Sequence, residues 1–181
     1  YLTARESRRV AAENARQIAE LEARKKRHVA ESEYTAHMQD DGNILEIDDL
    51  HTYFFTDSGV VKSVNGVTYS IPKNSVVGVV GESGCGKSTL GRTILRLIEP
   101  TSGQILFDNK DICKLNKQEM KQARTDMQII FQDPYSSLNP RMTVKDLIAE
   151  PLLIYKVHKN SADREKAILE LMDKVGLARR F

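Results

Sequence analysis

The residues best suited to chemistry form a glycine-rich stretch near the middle of the chain. Residues 81–88 read Gly-Glu-Ser-Gly-Cys-Gly-Lys-Ser, which fits the G-x-x-x-x-G-K-[ST] pattern of a phosphate-binding loop. Glycines in such a loop let backbone N–H groups converge on a phosphate, and a following helix adds its positive N-terminal end. We predict that Lys87 reaches the β- and γ-phosphates and that the Ser88 hydroxyl is a ligand of Mg²⁺. The predicted nucleotide-binding residues are Gly81, Glu82, Ser83, Gly84, Cys85, Gly86, Lys87, Ser88 and Thr89.

The segments on either side of the loop have the strand, loop and helix order that it needs. Residues 76–80 are a continuous apolar run, which predicts a strand buried on both faces. A helix is predicted from about Lys87 to Ile98, with one apolar face and with Arg92 and Arg96 pointing outward.

Other elements are predicted before and after this unit. Asp57-Ser58-Gly59 is a turn signal between apolar segments that read as short strands. The predicted strands are 44–47, 60–61, 67–71, 104–107 and 127–131. The predicted helices are about 117–124, then 143–150 stopping before Pro151, and a final amphipathic helix that Asn160 or Ser161 caps and Gly176 ends.

The first 43 residues differ in character from the rest. Residues 1–32 lack Pro and Gly and are rich in Ala, Glu, Arg and Lys, which predicts a helix with few apolar side chains. A solvated helix with charge pairs such as Glu20 with Arg24 fits this composition, and a partner-binding or coiled-coil helix is the alternative. The segment from Glu31 to Asn43 reads as a linker, and we expect neither a signal peptide nor a transit peptide.

Composition narrows the class of protein. The 181 residues hold 27 Lys and Arg against 25 Asp and Glu, and this near balance argues against a dedicated nucleic-acid binder. No long uncharged apolar run is present, so we expect a soluble protein. With only two cysteines no disulfide framework is expected, which favours a reducing, intracellular compartment.

The loop indicates nucleotide binding more than it indicates a reaction. A GTPase would need Asn-Lys-x-Asp, which residues 109–112 and 116–119 only approach. A small P-loop kinase has about this length, but its loop usually lies near the N-terminus, whereas about forty strand-rich residues from Ile44 precede this one. A kinase therefore remains a distant alternative.

Three stretches together resemble the ATP-binding subunits of ABC transporters. They are Gly81 to Thr89, residues 100–107 (PTSGQILF) and residues 129–140 (IIFQDPYSSLNP), the last of which resembles the Q-loop of the oligopeptide, dipeptide and nickel importer branch. The resemblance covers residues 44–181 and implies an α/β, ABC-type P-loop NTPase domain with an antiparallel β-subdomain. It divides the chain into a helical extension and linker (1–43), a core (about 44–140) and the start of a helical subdomain (about 141–181).

The same resemblance implies further site residues. Gln132 corresponds to the Q-loop glutamine, which helps to ligate Mg²⁺ and senses the γ-phosphate. One aromatic residue among Tyr53, Phe54 and Phe55 corresponds to the residue that stacks on adenine, and the spacing from Leu50 favours Phe54. The implied cofactors are ATP and Mg²⁺.

Several motifs of the family do not occur in these 181 residues. They are the signature Leu-Ser-Gly-Gly-Gln, the Walker B strand ending in Asp-Glu, and the switch histidine. We therefore expect a domain incomplete at its C-terminal end, with no catalytic residue of its own, that binds nucleotide weakly and does not hydrolyse it. The alternative is a truncated or mosaic non-catalytic protein, since residues 50–67 resemble one of the paired ATPase subunits and residues 89–140 the other.

The resemblance also implies partners and a location. A complete subunit would pair with a second ATP-binding subunit and dock on integral-membrane permease subunits, without binding nucleic acid. It would thus be cytoplasmic and peripheral on the inner face of the cell membrane. An external solute-binding protein would act on it only indirectly, and this protein and the permease would select the solute.

Overall fold

A computed structural model describes residues 4–27, 40–133, 135–158 and 160–177. The residues form two compact units, one up to Ile129 and one from Ile130 onward. The first unit contains α1 (Ala4–Lys26), β1 (Asn43–Thr56), β2 (Gly59–Pro72), α2 (Lys87–Ile94), β3 (Ser102–Phe107), β4 (Lys110–Asp111) and α3 (Lys117–Ala123). The second contains a 3₁₀ turn (Tyr135–Ser137), α4 (Val144–Ile154) and α5 (Ser161–Lys174). Pro134, most of the predicted linker, and His28 and His37 lie outside the described residues.

The strands of the first unit form one antiparallel sheet in the order β2-β1-β3-β4. Strands β1 and β2 form a long hairpin, whose register closes with Thr56 opposite Gly59. The predicted turn at 57–59 is therefore confirmed, and the Thr56 hydroxyl donates to the Gly59 carbonyl at 2.9 Å. The predicted short strands 60–61 and 67–71 are parts of the single strand β2.

The core of the first unit lies between this sheet and its helices. Leu50 and Ile105 from the sheet are fully buried, and Leu90 of α2 and Met120 of α3 pack into the same cluster. The start of α3 is fixed by a capping box in which Asn116 accepts from the Glu119 N–H and Glu119 accepts from the Asn116 N–H. The sheet and these helices thus form one hydrophobic core.

Helix α2 is shorter than the sequence indicated, and one of its predicted outward arginines points inward. The helix ends at Ile94, and Arg96 takes a left-handed backbone conformation with φ of +51°. The Arg96 guanidinium donates to the carbonyls of Ile112 and Leu115 and pairs with Glu99 at 2.9 Å. The outward prediction for Arg96 was wrong because those carbonyls, distant in sequence, supply the acceptors that a buried guanidinium requires.

Two predicted strands are not strands in the structure. Residues 76–80 and 127–131 are extended or irregular segments outside any ladder. Val76 is 99% exposed and Ile130 88% exposed, so the prediction of a strand buried on both faces was wrong. Such a strand needs hydrogen-bonding neighbours on both edges, and among the described residues all ladder pairs belong to β1–β4.

The second unit is built on the helix pair α4 and α5. Thr143 and Asn160 cap their N-termini, and Lys145 of α4 meets Glu165 of α5 at 2.6 Å, an ion pair that lowers the pKa of the Glu165 carboxyl. The final helix was predicted correctly. The predicted stop before Pro151 was wrong, because α4 continues to Ile154 with Pro151 inside it.

The N-terminal helix α1 is confirmed over Ala4–Lys26, with Glu20 and Arg24 paired at 3.2 Å. Most of its described side chains are exposed, as a solvated helix predicts, but Asn14 is buried. No helix in the described part of the chain has the length and apolar character needed to cross a membrane.

Candidate functional site

The glycine-rich loop lies between the end of β2 and the start of α2. Gly86 is the N-cap of α2, with φ of +97°, and its carbonyl accepts the first helical bond from the Leu90 N–H at 2.8 Å. A side chain at this position would collide with the backbone carbonyl of Ser63 on β2. The loop is therefore held against β2 at a spacing that only glycine permits.

The Lys87 ammonium lies across the mouth of the loop. Its Nζ donates to the carbonyls of Gly81 at 2.8 Å and Glu82 at 2.6 Å, and it lies 3.7 Å from the Cys85 Sγ. These contacts join the Lys87 side chain to the backbone at the start of the same loop. A phosphate oxygen is a stronger acceptor for an ammonium than a neutral carbonyl, so this group can exchange its partners for a bound phosphate.

A cavity of about 370 Å³ opens beside the loop. It is lined by Lys62, Ser63, Val64, Asn65, Val67, Val79, Val80, Cys85, Gly86, Lys87 and Leu90. These lining residues include two lysines and no carboxylate, so the cavity favours an anion. The predicted strand 76–80 contributes one wall of it although it forms no ladder.

Sequence reasoning missed the part that β2 plays in this site. The Ser63 hydroxyl donates to the Thr89 hydroxyl at 2.9 Å and so ties the first turn of α2 to the sheet. Lys62 lines the cavity and lies 5.4 Å from the ring centre of Tyr53. The sequence predicted strands only at 60–61 and 67–71, so Lys62 and Ser63 lay outside them, and nothing in it indicated which loop the strand would contact.

The structure separates the three aromatic candidates for a base-stacking residue. The Tyr53 hydroxyl donates to the Asn65 side chain at 2.6 Å, and the Tyr53 ring packs edge-on against His51. Tyr53 is thus already held by contacts within the protein. Phe55 is half-buried. Phe54 is 40% exposed and lies opposite Val61, which directly precedes Lys62 of the cavity wall in the sequence, although Phe54 does not itself line the cavity.

The two predicted magnesium ligands belong to different compact units. Ser88 is exposed at the second position of α2 in the first unit. Gln132 is exposed in an irregular segment of the second unit. Hydroxyl and amide oxygens are suitable ligands for Mg²⁺, so both residue types fit the ion. The pairing of these residues stays a prediction.

The two cysteines differ in reactivity. Burial, together with the negative charge of Asp111, raises the pKa of the Cys113 thiol to about 12, so this thiol stays protonated. Cys85 is exposed in the phosphate-binding loop. The thiolate is the form that reacts, so the protonated Cys113 is unreactive. Of the two, Cys85 is the exposed thiol, and it lies beside the Lys87 ammonium.

A thiol reagent applied at about pH 7.5 should therefore modify Cys85 and spare Cys113. The adduct would occupy the loop, so nucleotide binding should be lost, and prior addition of ATP should protect. Mass spectrometry of the labelled peptides with a parallel nucleotide-binding assay measures both effects. Cys85→Ser is the control and should remain unlabelled. Undiminished nucleotide binding after complete modification of Cys85 would contradict this prediction.

The sequence and the fold are similar to known proteins. The model of the ABC transporter family matches residues 64–180. The chain is 47% identical over 135 residues to the oligopeptide transport ATP-binding protein OppF of Bacillus subtilis (strain 168), covering 74% of this chain and 44% of that protein. It is 44% identical over 142 residues to the oligopeptide transport ATP-binding protein AppF of the same organism, covering 74% and 43%.

Solved structures of ABC-type proteins have a similar fold. The ATP-binding cassette MJ0796, in a dimeric post-hydrolysis state bound to ADP and phosphate, matches with a TM-score of 0.63 at 26% identity, over 76% of this chain and 59% of that one. Part of a cbiONQ transporter complex, cbiO1 of Clostridium perfringens, matches with a TM-score of 0.57 at 26% identity, over 76% and 52%. The chain spans less than half the length of the curated relatives named above.

Proposed function

The chain belongs to the ABC transporter family, and from this membership we propose that it is part of the ATP-binding subunit of a peptide-type importer. The observation that carries the proposal is the Lys87 ammonium at the mouth of a glycine-rich loop, inside a cavity whose lining has lysines and no carboxylate. The names of its relatives, which are oligopeptide transport ATP-binding proteins, supply the substrate class. Family membership favours this function over that of a small kinase.

In the proposed site, the loop 81–86 and the start of α2 bind the triphosphate. Backbone N–H groups and the positive end of α2 face the phosphates, and Lys87 neutralises their charge. Ser88 and Gln132 are the predicted ligands of Mg²⁺, which would supply charge neutralisation for the phosphates. Phe54 would stack on the adenine ring. These roles are proposals that the residue types and the loop geometry support.

The partners and the location are proposals of the same kind. ATP binding and hydrolysis in the whole protein would drive solute uptake through membrane permease subunits, with a second ATP-binding subunit completing the pair. The second unit of the chain supports docking on a permease, because it carries many exposed apolar side chains. They include Tyr135, Leu138, Leu153, Ile154, Tyr155 and Val157. This docking would place the protein on the cytoplasmic face of the membrane.

We expect the 181 residues to bind Mg-ATP without hydrolysing it. They contain no Walker B Asp-Glu pair, so no side chain is available to polarise the attacking water. Calorimetry should therefore detect binding, and a phosphate-release assay should stay at the level of the Lys87→Ala control. Phosphate release that exceeds this control would contradict the proposed inactivity, and absence of any nucleotide binding would contradict the proposed function.

A further inference from the structure

Helix α1 carries one buried side chain among those the structure describes, and it is polar. Asn14 is 6% exposed, and its Nδ2 donates to the backbone carbonyl of Thr56 at 2.7 Å, 42 residues away. Burial of an amide is costly unless the amide is hydrogen-bonded. The contact therefore defines a docking position for α1 at the end of β1.

Helix α1 contacts the last part of β1, which β3 does not pair. Strand β3 pairs with β1 from Leu45 as far as His51, so the last residues of β1 have β2 as their only strand neighbour. Thr101, which directly precedes β3, accepts with its hydroxyl from the Tyr53 N–H at 2.9 Å. Unpaired strand edges expose backbone groups that need partners.

A second contact joins α1 to Thr101, near the other end of this part of β1. Arg24 donates from Nη1 to the carbonyl of Thr101 at 3.1 Å. Asn14 and Arg24 are ten residues apart, or about 15 Å along a helix. Thr101 in turn donates its N–H to the His51 carbonyl at 2.8 Å, and the β1 segment from His51 to Thr56 is about 17 Å long as a strand. The spacing of the two anchors on α1 is therefore close to the length of this β1 segment.

We propose that Asn14 is a positioning residue for the base-binding end of the nucleotide site, an inference that rests on the proposed function. Thr56, whose carbonyl Asn14 holds, lies two residues after Phe54 in β1. Phe54 faces Val61 across the hairpin, and Val61 precedes Lys62 and Ser63 of the cavity wall. Holding the hairpin end fixes the Phe54 ring relative to the phosphate-binding loop.

This role predicts a selective effect on the base. The phosphate-binding loop is anchored elsewhere, through the close approach of Gly86 to Ser63 and the bond from Ser63 to Thr89. Loss of Asn14 leaves those contacts in place. Binding of ATP should weaken, because it uses both ends of the site, whereas binding of inorganic tripolyphosphate should not change.

The test compares the binding of Mg-ATP and of Mg-tripolyphosphate to variants of the full chain. Asn14→Ala should weaken ATP binding about three- to tenfold, the equivalent of one net hydrogen bond, and leave tripolyphosphate affinity within about twofold. Glu13→Ala, at the exposed neighbouring position, is the matched control and should match wild type. Phe54→Ala should show the same selective loss. Amide hydrogen exchange at residues 53–56 should be faster in Asn14→Ala than in Glu13→Ala.

A second variant guards against misfolding of the first. Arg24→Ala removes the other anchor from a side chain that is more than half exposed, and it should shift ATP binding and hairpin exchange in the same direction. Equal ATP affinity and equal exchange in Asn14→Ala and Glu13→Ala would overturn the positioning role while ATP still binds. Equal loss of ATP and tripolyphosphate would also overturn it. Failure of the wild-type chain to bind either ligand would overturn the proposed function itself.

Discussion

Replacement of Lys87 by alanine should weaken Mg-ATP binding by about 10- to 150-fold, since a charge-assisted hydrogen bond contributes about 1.5–3 kcal/mol. The Lys87 ammonium lies 2.6 and 2.8 Å from two carbonyls of the loop. On binding it gives up those carbonyls for phosphate oxygens, which carry full negative charge. Alanine removes both the charge and the donor, so the phosphates lose their mobile counter-charge.

The same substitution should leave the fold intact. Gly81 and Glu82, whose carbonyls Lys87 contacts, are exposed, so water can replace the ammonium there. The contacts that hold the loop, which are the close approach of Gly86 to the Ser63 backbone and the hydrogen bond between the Ser63 and Thr89 hydroxyls, do not involve the Lys87 side chain. The free energy of unfolding should change by less than about 0.5 kcal/mol, as for other surface substitutions.

Isothermal titration of Mg-ATP into matched variants measures the loss. Lys73→Ala is a suitable control because it removes one positive charge from an exposed lysine whose Nζ contacts the Asp41 carbonyl, outside the cavity lining. Lys87→Arg keeps the charge with different geometry and should bind with intermediate affinity. If Lys87→Ala and Lys73→Ala bound ATP equally well, the loop would not be the phosphate site.

The phosphate-binding loop could be predicted because its chemistry is local. The pattern of residues 81–88 specifies a turn, a cation and a helix start within one short stretch, and the structure forms all three. The caps at Asn116, Thr143 and Asn160 also connect residues no more than three positions apart, and of these the sequence analysis predicted the last, with Ser161 as the alternative to Asn160. Contacts between residues so close in sequence depend little on the rest of the chain.

The errors of sequence reasoning arose where the outcome depends on distant partners. The run 76–80 has the composition of a buried strand, but a strand forms only where another strand offers its edge. Arg96 was placed outward because helical periodicity does not include the carbonyls of Ile112 and Leu115 that receive it. The burial of Asn14 depends in the same way on Thr56, 42 residues away.

Replacement of Gly103 by alanine should destabilise the first unit by more than about 3 kcal/mol, through backbone strain combined with overpacking. Gly103 has φ of +95°, in β3 beside the irregular register of β1 between Asp48 and His51. An added Cβ would meet the Asp49 carbonyl oxygen and would lie 2.6 Å from the Leu50 Cα. These are backbone atoms, so they cannot turn away as a side chain could.

The position also explains why relaxation would be costly. Leu50 is fully buried in the core, so a shift of β1 away from β3 would disturb the packing of Ile105 and its neighbours. Alanine in the left-handed region adds about 1–2 kcal/mol of strain. The clash, the backbone strain and the lost packing all affect the β1–β3 pair, so each of them lowers the free energy of unfolding of the first unit.

Gly91→Ala is the control that separates this effect from a general cost of losing a glycine. Gly91 lies inside α2, and an added Cβ there has no atom within 4 Å. Alanine is the better helix former by about 0.5–1 kcal/mol, so this variant should be stabilised. Hydrogen exchange of β1 amides in urea reports the first unit separately from the second. If the free energy of unfolding falls in Gly103→Ala and rises in Gly91→Ala, the loss of stability is due to the close approach of Gly103 to β1. Equal stability of Gly103→Ala and wild type would contradict this packing.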